Sequence, residues 1–315
     1  MTIVWRLRHL VVVRLTLLFL YALHAQAMAA PLESTSVLQD ECVVRSVDLR
    51  TVVTHLGNVP ATLRIPTHVS MPPIVLWHGF GPPASELEMM SRFPLDEVPA
   101  IKVYLGLPLF GTRAPAGGQD NLVRRQKEDL ARLVFEPVVW GTVNELPSVV
   151  RALVRHGCMK PAEEISLLGF SAGGTAALIS LAEHKVKVRS AVVLNPSPGL
   201  SASIHAFERA TGLAYAWTDA SRQRAKRSDI ADRAADIARD PRPPALLVIA
   251  GAEDKTIAPE DLGSFENAMT LRYARIGAAD HFQYVVVEGL SHSSGGATAE
   301  QKLQQRISAW FNKKR

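Results

Sequence analysis

The sequence is short of several things, and each shortage excludes a class. Gly and Pro stand at 20 each in 315 residues with no period, which excludes a collagen-like chain. Hydrophobic residues reach 47% against 21% charged, so a disordered chain is excluded as well. Net charge is small: Lys and Arg number 35 against 30 Asp and Glu. The excess of five falls to two without residues 1–29, which hold Arg6, Arg8 and Arg14 and no acid. That is too weak a field to argue for nucleic acid or an anionic membrane as partner. There are only two cysteines, Cys42 and Cys158. They lack the spacing of a metal site, and neither lies on a tight Gly-flanked turn that would present a nucleophile. No apolar run reaches the about 20 residues of a membrane span, because Arg14 interrupts residues 10–23.

What stands at the start has its own pattern. Basic residues precede the apolar run 15–23, and the small-residue stretch Ala25-Gln26-Ala27-Met28-Ala29-Ala30 follows. A basic start, a short apolar centre and A-x-A sites make a secretory signal peptide over residues 1–29, with cleavage after Ala27 or Ala29. The expectation is an exported protein, periplasmic or extracellular and bacterial, with no stable membrane anchor after cleavage. In an oxidising compartment Cys42 and Cys158 are free to pair; two buried thiols fit the sequence equally well.

From residue 41 onward, short β-branched runs alternate with helical stretches. Residues 42–47 and 51–63 read as an opening hairpin with Gly57-Asn58 as its turn. Further strands are expected at 74–77, 101–107, 165–168, 191–194, 246–249 and 284–287. All are nearly continuous apolar runs, as expected of strands buried on both faces. Helices are expected at 84–92, 121–156, 172–183, 259–273 and 297–311. The alternation predicts an α/β fold: a mostly parallel central sheet of about eight strands, flanked by helices. Residues 30–315 form one domain on this reading. Within it, residues 197–243 are longer than one crossover helix needs and suggest a small helical cap insertion. Leu213, Tyr215 and Trp217 would give that cap an apolar wall. The basic cluster Arg222, Arg224, Lys226 and Arg227 reads as a solvated helix face.

The chemistry-bearing signal is Gly169-Phe170-Ser171-Ala172-Gly173, directly after a strand and opening an Ala-rich helix. A serine on a sharp strand-to-helix turn sits in a strained backbone conformation, and the close approach of strand and helix leaves no room for a Cβ two residues to either side. A serine needs a base. His292, just past the last strand, is placed for that role, whereas His281 precedes the same strand and would face the wrong end of a parallel sheet. An acid should orient the imidazole: Asp254 beyond the strand at 246–249, with Glu253 as the fallback. Each of Ser171, Asp254 and His292 follows a strand's carboxyl end, in the order nucleophile, acid, base. The turn Trp77-His78-Gly79-Phe80 comes after an early strand. It would offer the Phe80 backbone N–H, with that of Ala172, to a developing oxyanion. His78 reads as a structural residue holding that loop.

These four segments in this order resemble the α/β-hydrolase superfamily, from about residue 49 to the C-terminus. Trp77-His78-Gly79-Phe80, Phe110-Gly111-Thr112-Arg113 and Thr142-Val143-Asn144-Glu145-Leu146-Pro147 are similar to the dienelactone-hydrolase-like and prolyl-oligopeptidase-like esterases. The chain leaves no room for the propeller of a prolyl oligopeptidase proper, and Ser171 stands where a dienelactone hydrolase carries Cys. The resemblance implies a serine esterase that needs no metal or organic cofactor and takes a small-molecule ester. Acyl transfer, thioester or amide cleavage by the same residues, and a silent hydrolase fold used for binding, are the alternatives.

Overall fold

The computed structural model describes Cys42 and residues 49–313. The chain divides into Met1–Glu41 and a compact unit, Cys42–Arg315. The expected signal segment lies outside the described residues, as does the expected strand at 42–47 apart from Cys42.

Among the described residues, eight strands form one sheet: β1 (Arg50–Leu56), β2 (Val59–Ile65), β3 (Ile74–Trp77), β4 (Lys102–Leu105), β5 (Ile165–Phe170), β6 (Val188–Leu194), β7 (Ala245–Gly251) and β8 (Phe282–Val287). Their order is β1-β2-β4-β3-β5-β6-β7-β8. Only the first two pairings, β1 with β2 and β2 with β4, are antiparallel. Both arms of the observed hairpin come from the stretch expected as its second arm, which they overrun by one residue at the start and two at the end, and the chain turns at Gly57 with φ +64°. Strands β3, β4, β5 and β7 are buried at every position, which is why their sequences run apolar without alternation.

The helices are α1 (Glu86–Arg92), α2 (Gly118–Leu130), α3 (Gly141–Arg155), α4 (Ala172–Glu183), α5 (Leu200–Thr211), α6 (Asp219–Ser228), α7 (Ala234–Ile237), α8 (Gly263–Arg275) and α9 (Ala297–Lys313). The single helix expected at 121–156 is broken. Asp129 leaves helical geometry at φ −163°, ψ 91°. Its carboxylate then accepts the Arg132 N–H at 3.0 Å, restarting the chain as an N-cap would. A π-helical stretch, Ala131–Trp140, follows and contains Pro137, which has no N–H to give an α-helical ladder. Helix α4 is buried from Gly173 to Ala182, so it carries no polar face. The apolar cluster beneath joins Leu76, Leu168, Phe170, Val192 and Ile249 of the sheet to Leu303, Ile307 and Phe311 of α9. It fixes the carboxyl ends of β5, β6 and β7 relative to one another, and the site is built there.

Cys42 and Cys158 are joined in a disulfide. The alternative of two free thiols is thus set aside.

Candidate active site

Ser171 sits between β5 and α4 with φ 52° and ψ −118°, the strained turn its neighbours anticipate. The two flanking glycines are steric necessities. A Cβ at Gly169 would lie 2.3 Å from the Gly173 carbonyl oxygen, and one at Gly173 would lie 2.5 Å from the carbonyl oxygens of Trp77 and His78. The Gly173 N–H donates to the His78 carbonyl at 3.1 Å, which binds the elbow to the turn after β3.

The structure brings Ser171, His292 and Asp254 into one hydrogen-bonded chain. His292 Nε2 lies 3.0 Å from Ser171 Oγ, and His292 Nδ1 lies 2.7 Å from Asp254 Oδ2. Because a carboxylate only accepts, the imidazole proton belongs on Nδ1, and Nε2 is left to take the serine proton. Asp254 is buried, and its other oxygen accepts the N–H groups of Thr256 and Ile257 at 2.8 and 2.9 Å. The rivals lie elsewhere. Glu253 accepts the Gly289 N–H, and His281 precedes β8 with Nδ1 3.2 Å from the Pro243 carbonyl.

Phe80 lies in the turn after β3. Among the described residues, neither its N–H nor that of Ala172 is engaged in a loop or cap hydrogen bond. The Ala172 N–H opens α4, where first-turn donors have no helical partner and the helix dipole favours negative charge. His78 is buried and holds this turn: Nδ1–H donates to the Gly79 carbonyl at 2.8 Å, and Nε2 accepts the Leu107 N–H at 3.1 Å. Burial pushes its pKa down to about 4, so it is neutral at ordinary pH. The Phe110 ring stacks on Phe80 at 5.2 Å. Beyond it, the Arg113 guanidinium grips both oxygens of Glu145 and the Gly106 carbonyl, joining two of the three segments that carried the family resemblance.

A cavity of about 230 Å³ opens beside Ser171 and reaches Phe80, Ala172 and Thr175. Its walls are uncharged. The aromatic wall is not the expected one. Tyr215 packs edge-on against Trp217, and its hydroxyl donates to Asp129 at 2.8 Å, while Leu213 is 48% exposed. Phe207 of α5 faces the cavity instead. In the basic cluster, Arg224 and Arg227 pair with Glu136 of the π-helical stretch, and Arg227 also lies over the Trp140 ring.

One residue escaped the sequence reading. Asn195 follows β6, is fully buried and has φ +47°, a conformation Asn tolerates better than most residues. Its Nδ2 donates to the carbonyls of Ser291 and His292 at 3.0 and 2.8 Å, and its Oδ1 accepts the Gly251 N–H at 2.8 Å. It therefore ties the loop bearing the base to the strand end that leads to the acid. The one sequence signal was a lone Asn at the carboxyl end of a buried strand, ahead of Pro196. Asn195→Ala leaves two carbonyls and one N–H without partners and lets the His292 loop drift. The expected result is a loss of about 10²-fold in kcat with KM nearly constant. Steady-state kinetics on the folded variant checks this, and an unchanged kcat would leave Asn195 with no part in placing His292.

Sheet order and the strand–serine–helix turn together define an α/β-hydrolase fold. Residues 141–315, more than half the chain, match the prolyl oligopeptidase family, and the chain belongs to it. It is a serine hydrolase. No curated protein sequence matches the chain. Among solved structures, TT1662 from Thermus thermophilus is similar at 16% identity and TM-score 0.57, over 84% of this chain and 98% of that one. A puromycin-hydrolyzing peptidase from Mycobacterium tuberculosis is similar at 19% identity and TM-score 0.60, over 84% of this chain but 40% of that one. Carboxyl esterase 2 from the mycorrhizal fungus Tuber melanosporum follows at 17% identity and TM-score 0.57, over 85% and 87% of the two chains. At these identities the likeness is one of fold.

Proposed function

We propose that this protein hydrolyses carboxylic esters through an acyl-enzyme on Ser171. The observation that carries the reading is the continuous chain from Asp254 through His292 to Ser171 at 2.7 and 3.0 Å. Ser171 Oγ attacks the ester carbonyl as His292 Nε2 takes its proton, and Asp254 stabilises the imidazolium. The N–H groups of Phe80 and Ala172 receive the oxyanion. His292 then gives the proton to the departing alcohol and activates the water that releases the acid.

Esters are favoured over peptides by the uncharged cavity. A peptide's terminal ammonium or carboxylate would lose hydration there and gain no counter-charge. The test pairs an ester with the amide of the same acid, in parallel with labelling by a fluorophosphonate. Ester turnover with one adduct on Ser171 supports the proposal. Amide turnover at a comparable rate moves the activity to peptidase chemistry, and failure of the folded protein to form an adduct sinks the catalytic assignment.

The same proposal places the protein outside the cytoplasm. Its supports are the basic-then-apolar pattern of residues 1–29 and the Cys42–Cys158 disulfide, which persists in oxidising compartments. N-terminal sequencing of the exported protein is expected to begin at Met28 or Ala30; a chain still beginning at Met1 overturns this.

A further inference from the structure

The cavity beside Ser171 draws walls from several elements, Gln126 and Leu130 of α2, Ser197 after β6, and Thr256 and Ile257 after β7 among them, and three further stretches shape what enters it. The elbow and the turn after β3 supply Ser171, Ala172 and Phe80. The π-helical stretch supplies Phe135 and Val139, one above the other at i and i+4. Helix α5 supplies Ala206, Phe207 and Ala210, which share one face at spacings of one, three and four. His292 is not among its walls. That omission orients the substrate. The leaving alcohol must be protonated by His292 Nε2, so it lies on the imidazole side. The carbonyl oxygen must point at Phe80 and Ala172. What remains, the acyl chain, is the part free to enter a space that touches the nucleophile and both donors but not the base.

We infer that this cavity is the acyl site, and that the substrates are esters of neutral acids with a largely apolar chain, with Ala206 and Phe207 setting the chain length. The inference rests on the ester reading above and adds the substrate class. The cavity is finite, about 230 Å³, so an acyl chain gains by burial only until that space is filled. Walls without charge exclude an acyl group that ends in a carboxylate or ammonium.

The test is a series of p-nitrophenyl esters from acetate to laurate, with the p-nitrophenyl monoester of adipic acid as the charged arm. For the wild type, kcat/KM is expected to climb by about fourfold per added CH2 until the cavity fills, then to level or fall. The adipate monoester is expected to fall far below hexanoate. Ala206→Trp fills the cavity and shifts the optimum to shorter acids, and Phe207→Ala opens it and shifts the optimum to longer ones. Fluorophosphonate labelling of Ser171 shows which variants are folded, and either shift alone carries the result. If esters are hydrolysed with a flat or falling profile from acetate onward, with adipate equal to hexanoate, or with an optimum that neither variant moves, the acyl assignment is wrong and the ester reading stands. If no ester of any length is hydrolysed while Ser171 still labels, the ester reading fails and the acyl assignment fails with it.

Discussion

Ser171→Ala is expected to lower kcat for ester hydrolysis by about 10⁶-fold and to abolish the fluorophosphonate adduct. The size of the effect follows from the absence of a substitute. Other hydroxyls line the cavity, but four of them donate to carbonyls: Ser197 Oγ and Ser203 Oγ to Gly199, Thr175 Oγ1 to Ser197 and Thr211 Oγ1 to Phe207. The His292 imidazole is paired with Ser171 Oγ. What survives is catalysis by the oxyanion donors and by binding, about 10³-fold over water. The substitution spares the fold, since the serine hydroxyl's bond is to His292 at the surface of the site and the backbone strain is the same for Ala. His292→Ala is expected to cost about as much, and the double variant no more than either single one, because the residues act as a unit. Burst-phase and steady-state kinetics with intact-mass detection check both. An adduct persisting on Ser171→Ala would mean that another serine is activated.

The second large effect is on stability. The Cys42–Cys158 bond joins residues 116 apart in sequence. In the chain-entropy account, removing a cross-link over a loop of that length restores about 5 kcal/mol of conformational freedom to the unfolded chain. Measured losses for native disulfides run from about 2 to 5 kcal/mol, set against a typical total stability of about 5–15 kcal/mol. Cys158 follows α3 and its N–H donates to the Leu153 carbonyl, so the bond pins Cys42 to the end of that helix. Reduction is expected to lower the urea midpoint sharply. The Cys42→Ser/Cys158→Ser double variant should show the same midpoint and no further response to reductant. A midpoint unmoved by reductant would show that the bond contributes nothing, and would remove one support for export.

Much of the site was legible because its demands are local. A serine turn between a buried strand and a helix requires glycine at 169 and 173, since a Cβ at either would meet backbone oxygen within 2.5 Å. The acid and base follow β7 and β8, so chain order alone pointed to Asp254 and His292, and buried strands announced themselves as unbroken apolar runs. The break in the stretch 121–156 was harder. Its apolar period is helical throughout, but Asp129 turns its carboxylate to Arg132 and to Tyr215, a residue 86 positions away, and Pro137 withholds a donor. Tyr215 was misplaced for the same reason: its hydroxyl is held by Asp129, which takes the ring away from the wall that sequence proximity to the cap suggested.

By itself the sequence determined the layered α/β architecture, the strained nucleophile turn and the order of the three site residues, because steric room and strand burial act over a few neighbouring residues. Tertiary structure alone decided which side chains line the cavity, that the two cysteines meet, and that Asn195 holds the loops of acid and base together. Each of those depends on groups tens of residues apart arriving within hydrogen-bonding or bonding distance. No local pattern encodes that distance; the packing of the whole sheet and its helices sets it.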